Sequence, residues 1–287
     1  MSILKNFLGN RSANPKGEMH FLDHIEDLRW HIVRSVIAVV IGAIIVFTKV
    51  EWVFDRIILG PAHNDFISYK WFCQLGKLLH YDGFCLGEVN MKFQNTAVAG
   101  QFMMSLSVSL MLGFIIAVPY ILWELWRFIK PALRESEIKM ATGIVFWGSL
   151  LFFIGVLFAY YIIAPYTINF FGSYQLSPLF QNIITIENYY DTMSNMIVAM
   201  GLSFELPMLV LLLTRIGILT PELLRAKRRY AFLILFILSE LITPPDLFSC
   251  LIVFVPLYAL FEITIVISAR AVRARKKKEA QQKLLDK

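Results

Sequence analysis

The chain has 287 residues, 57% of them hydrophobic and 17% charged, with a formal net charge of +6. A soluble domain carries about a quarter charged residues. This composition, with a mean hydropathy of +0.63, therefore excludes one large soluble core and points to an integral membrane protein.

Residues 1–31 are polar and hold no long apolar run, so no cleavable signal peptide is expected, and the N-terminus is expected in the cytoplasm. Within this stretch, "FLDHIEDLRWHIVRSVI" sets Phe21, Ile25, Leu28 and Ile32 on one helical face. It reads as an interfacial helix running into the first span. Asp23, Glu26 and Asp27 lie largely off that face. They form either a solvated edge or a site for cations, and a guanidinium pairs with a carboxylate through a two-bond fork.

Six apolar runs are expected as spans, at about 32–58, 97–122, 140–163, 193–214, 230–242 and 247–268. A helix needs about 20 residues to cross the hydrocarbon. The first run reaches that length only by continuing through "VEWVFDRIIL". Between it and the second lies a long loop, 60–96, with room for a small folded cap. Cys73 and Cys85 in this loop either pair, if the loop is exported, or remain free thiols. The third cysteine is Cys250, and the three show no zinc or haem spacing.

"VPYILWELWRFIKPALRESE", residues 118–137, ends the second span and forms the next loop. Pro119 and Pro131 punctuate it, and Glu124, Glu135 and Glu137 supply carboxylates. In the fourth run, "GLSFELP" puts Glu205 among apolar residues, where an ionised acid costs roughly 2.5–3.5 kcal/mol. Pro207 has no N–H to give. Ser203, Glu205 and Pro207 together are expected to make a polar notch in the span. Its use is either an internal hydrogen bond to another span or contact with a partner's membrane helix, and the second is the preferred expectation.

The fifth run, "YAFLILFILSELI", is short and stops at "TPPD" (243–246), which cannot continue a helix. It is either one arm of a re-entrant hairpin or a short full crossing; a full crossing is expected because the sixth run is long enough alone. Lys and Arg fall in segments 1–31, 123–139, 215–229 and 269–287, and none falls in 164–192 or 243–246. That asymmetry predicts both termini in the cytoplasm. The tail 269–287 reads as a topology anchor that also meets anionic lipid, and nothing else supports nucleic-acid binding.

Four stretches, taken in order, resemble the TatC family, the polytopic core of the twin-arginine protein translocase. They are "HIEDLR" (24–29), "VPYILWELWRFIKPAL" with its following acids (118–137), "SFELP" (203–207) and "RIGILTPELLRAKRRYA" continuing through "TPPD" to "PLYALFEI" (215–263). Loop 60–96 is least like the family pattern. The resemblance implies an all-α, six-span, glove-shaped membrane protein with its last two helices short. It implies a bacterial inner-membrane location, binding of twin-arginine signal peptides on folded cargo, export driven by the proton-motive force, partners of the single-span TatA/TatB type and an oligomeric complex. No cofactor is implied. By position, signal binding falls on Asp27 and Glu137. Asp27 stands where the family carries Glu, so the neighbouring Glu26 is able to take over its contact. Phe128 and Pro119 match family positions in the loop and second span, Glu205 the acid of the fourth span, and Glu262 the acid of the last.

A different class, a proton-coupled small-solute transporter, rests on Glu205 and Glu262 sharing a depth; against it, no Lys, Arg or His is expected at that depth and no broken-helix pair marks a midplane site. An intramembrane enzyme finds no support, because the spans hold no nucleophile–base or metal-ligand pattern and all five histidines lie outside them.

Overall fold

The computed structural model describes residues 21–80, 91–132, 143–177, 179, 182–244 and 246–285. Among these, five helices are long and apolar enough to cross a membrane: Glu26–Phe47, Gly100–Ile129, Ile144–Ser173, Ile186–Thr214 and Leu247–Arg273.

Helix α1 spans Phe21–Phe47 without interruption, so the acidic N-terminal stretch and the first span are one helix rather than two. The expected continuation to residue 58 breaks at a turn over Thr48 and Lys49. Thr48 caps it by donating to the Ile45 carbonyl at 2.7 Å. The chain resumes as a short α2, Val50–Val53, and a π turn, Phe54–Ile58. The side of α1 that packs on the protein differs from the apolar face read as interfacial. Ile32 is 53% exposed, and the buried stripe runs instead through Gly42 and Val46. Small residues win because α1 crosses α4, Gly100–Ile129, at very short range. A Cβ on Gly42 would lie 2.9 Å from the Gly113 carbonyl oxygen, and one on Gly113 would lie 2.9 Å from the Val39 carbonyl oxygen.

The loop after α2 holds a helix, α3 (Ile67–Leu79), and a strand, β1 (Lys92–Gln94). Strand β1 pairs in parallel with β2, Ile183–Thr185. The protein is thus mostly, but not wholly, helical: the first and third loops between the long helices are stitched together by three residues each. Tyrosines anchor this end. The Tyr189 hydroxyl donates to the Ile58 carbonyl and Tyr160 to that of Ile57, both at 2.8 Å, and Tyr69 donates to Pro61 at 2.5 Å. Helix ends leave carbonyls without intrahelical partners, and these three phenols satisfy such carbonyls where the first helical segment unravels.

The third and fourth helical spans are longer than the apolar runs that signal them. Helix α5, Ile144–Phe158, continues through a π turn, Ala159–Ile163, into α6, Ala164–Ser173. Helix α7, Ile186–Ser203, begins where the Thr185 hydroxyl accepts from the Asn188 N–H. The Lys- and Arg-free loop therefore shrinks from 164–192 to the residues between Ser173 and Ile186. Gly155 of α5 admits Phe204, and Gly201 of α7 admits Phe152: a Cβ at either glycine would come within 2.9 Å and 2.8 Å of the opposing ring carbons. After a break at Phe204 and Glu205 the chain re-enters α8, Leu206–Ile216, and a short α9, Pro221–Ala226.

Helix α10, Arg228–Ile242, has 15 residues, about 22 Å at 1.5 Å per residue. It folds back against α11, Leu247–Leu285, which has 39 residues and so continues through the expected tail. The pair forms an antiparallel hairpin. Phe232 meets Phe254 at 4.9 Å and Tyr258 at 5.7 Å, Phe236 meets Phe254 at 5.7 Å, and Ser239 meets the Cys250 Sγ at 3.2 Å.

Candidate functional site

The site is assembled where α1 begins and α4 ends. Glu26 and Asp27 both point outward and are exposed. Asp27 lies one turn before His31, on the same helical face. His31 turns inward: its ring meets that of Phe128 edge-on at 6.0 Å, and its Nδ1 donates to Glu124 Oε2 at 2.5 Å. The Asp27 face of α1 is therefore brought to the end of α4 that carries the half-buried Phe128. Pro119 lies in the interior of α4 and does not break it. Glu137 falls outside the described residues.

Glu124 was legible in the sequence only as one of three carboxylates in segment 118–137, with no role of its own. Its side chain is 1% exposed, with Arg127 Nη1 at 3.1 Å and Arg34 Nη1 at 3.9 Å. An isolated ionised carboxylate removed from water is costly unless it is paired and hydrogen-bonded, and here every partner comes from α1 or α4. The Glu124–Arg127 spacing of three was visible in the sequence as a helical pair. The His31 and Arg34 contacts span about ninety residues, and no local pattern announces them.

A second polar group lies in the fourth span. The Ser203 hydroxyl donates to the Ala199 carbonyl at 2.7 Å. Pro207 stands in the first turn of α8 and Glu205 at its N-cap, without a capping bond from its side chain. Glu205 Oε1 is buried and has no hydrogen-bond partner among the described residues. It borders a small cavity of about 110 Å³ shared with Leu122, Trp126, Gly148 and Met208. Ser203 thus bonds within its own helix, so the expected notch reduces to the carboxylate and the proline break.

Glu262 is not a lone acid. Arg228 Nη2 donates to its Oε2 at 2.7 Å, and the Tyr258 hydroxyl to its Oε1 at 3.3 Å. The expectation that no basic residue reaches this acid is corrected: the antiparallel α10–α11 register brings the first residue of α10 opposite residue 262. Cys73 is disulfide-bonded and Cys250 is a free, buried thiol, while Cys85 lies outside the described residues. Among the described residues no group of three or more His, Cys, Asp or Glu is arranged to hold a metal ion.

This geometry is found on a chain whose residues 23–256 match the family model described as Sec-independent protein translocase protein (TatC). The chain belongs to the TatC family. It is 40% identical over 257 residues to the Sec-independent protein translocase protein TatC of Blattabacterium sp. subsp. Periplaneta americana, covering 89% of this chain and 97% of that one. It is 30% identical over 264 residues to the TatC protein of Aquifex aeolicus, covering 92% and 99%. Among solved structures, the crystal structure of the twin-arginine translocase receptor TatC superimposes with a TM-score of 0.68 at 29% identity, over 87% of this chain and 99% of that chain. TatC proteins are non-enzymatic membrane subunits of a protein translocase.

Proposed function

We propose that this TatC protein is the signal-receiving core of a twin-arginine translocase. The observation that carries the reading is the pair of exposed acids, Glu26 and Asp27, held one helical turn from the His31–Phe128 contact on a surface otherwise rich in arginine. In this reading Glu26, Asp27 and Glu137 bind the paired guanidiniums of a signal peptide, and Phe128 packs against its apolar part. Each charge-assisted contact contributes on the order of 1.5–3 kcal/mol.

The rest of the assignment follows the same reading. Both termini are cytoplasmic, the short α10 crosses as a sixth span through a locally thinned bilayer, and the bundle is glove-shaped. Cys73 pairs with Cys85 on the exported side. Single-span partners of the TatA/TatB type dock against Glu205, and cargo export draws on the proton-motive force. The solute-transporter alternative loses its motive, because Glu262 is already neutralised by Arg228.

The test is crosslinking from a photoreactive residue at Trp30, exposed one turn from Glu26 and Asp27, to a twin-arginine signal in native membranes. Strong labelling is expected, with a loss of at least tenfold for a twin-lysine signal, since lysine lacks the planar fork. Equal labelling by both signals would overturn the reading.

A further inference from the structure

We propose that Glu124 is a positioning residue of the signal-binding surface. It is the shared counter-ion that fixes α1 against α4 and keeps Arg34 and Arg127 from competing with an incoming guanidinium. The proposal rests on the reading of Glu26 and Asp27 as the signal site.

The charged and titratable groups described around Glu124 are few. His31 and Arg34 face it from α1; Arg127 and the Tyr120 hydroxyl face it from α4. One buried carboxylate thus balances two guanidiniums. Both arginines are otherwise only half-covered, at 47% and 42% exposed, and Arg127 is additionally laid over the Trp123 ring at 4.8 Å. The cluster begins one turn from Asp27, about 6 Å along α1, which is inside the screening length of about 8 Å at physiological salt. A change of charge at Glu124 is therefore felt at the signal acids. His31 links the two, because it bonds Glu124 and touches Phe128 with the same ring.

A purely structural tie between α1 and α4 and a charge-balancing role make opposite predictions. Glu124→Gln keeps the shape and an acceptor oxygen but strands two positive charges. Binding of a fluorescent twin-arginine signal peptide to the purified full-length protein is expected to weaken about tenfold at low salt, and the deficit to shrink as salt is raised. Removing one cation as well, in Glu124→Gln with Arg127→Gln, restores the balance and is expected to bring affinity back to within about threefold of the parent. A structural tie instead makes the double variant the worse of the two. Arg34→Gln alone, which removes the more distant of the two guanidiniums and leaves Glu124 its His31 and Arg127 partners, is expected to tighten binding about twofold, and it stands whether or not the Glu124 variants fold.

Unchanged low-salt binding by Glu124→Gln, a double variant weaker than the single, or no tightening by Arg34→Gln each overturns the proposal. Failure of the parent protein to prefer the twin-arginine over the twin-lysine peptide overturns the signal-site reading itself, an outcome seen without any variant.

Discussion

Glu205 shows how far a single residue can be read from sequence and where that stops. A lone acid followed by a proline in an apolar run was legible as a polar notch in the span; that α7 ends just before it was not. Its neighbourhood was not legible. Gly148, nearly sixty residues earlier, leaves the room that the carboxylate uses: a Cβ there would lie 3.2 Å from Oε2. Because Oε1 is buried without a partner, Glu205→Leu is expected to stabilise the isolated protein by about 1–3 kcal/mol, read as a raised melting temperature in detergent. The same change is expected to lower crosslinking to a single-span partner. A lowered melting temperature would mean that the carboxylate makes a bond not seen here. At the α1–α4 crossing, Gly113→Ala drives a methyl into backbone atoms that cannot rotate away. A cost of about 3 kcal/mol, the upper end for overpacking, is expected; thermal unfolding of the purified variant checks it.

For the helices, existence was legible and boundaries were not. Apolar length found the five long helices among the described residues. It missed that the third continues ten residues past residue 163, because Thr167 and Asn169 are polar yet buried at 1% and 4% exposure. Burial among protein groups, with Thr167 bonded to Ser249 at 3.1 Å, replaces the lipid that the hydropathy rule assumes. The strand pair was invisible for a related reason: three residues each, joined across some ninety positions, carry no alternation long enough to read. The tyrosine anchors give this region its own testable chemistry. Burial pushes the Tyr69 hydroxyl up to about 12, while the unfolded chain ionises near the ordinary value of about 10. The stabilising difference is thus full below pH 10 and is lost as pH rises from about 10 to 12. Hydrogen exchange of α3 is expected to accelerate over that interval in the parent and to show a flatter response in Tyr69→Phe. Tyr189→Phe leaves the buried Ile58 carbonyl without its donor and is expected to cost about 1–3 kcal/mol, measured in the same thermal assay.

At the scale of the whole molecule, charge asymmetry and family resemblance carried the reading of topology, and the structure alters its proportions. The acids at 26 and 27 ride on the same rigid helix as the first span, so the surface they form cannot tilt without moving α1 against Gly113. Single-cysteine labelling on a background lacking the native cysteines tests the topology. Cysteines at positions 26 and 280 are expected to react only with reagent on the cytoplasmic side, and one at position 176 only on the exported side. Labelling of 26 and 280 from opposite sides would refute an even number of crossings.

The last helix has a consequence for how the protein is handled. Thirty-nine residues extend about 58 Å, close to twice the roughly 30 Å of hydrocarbon they must cross. With the helix upright in the bilayer, the excess is expected to stand off the lipid as a rod. A fluorophore or fusion attached there reports from a fixed height above the bilayer. It serves as a ruler for the approach of bulky cargo.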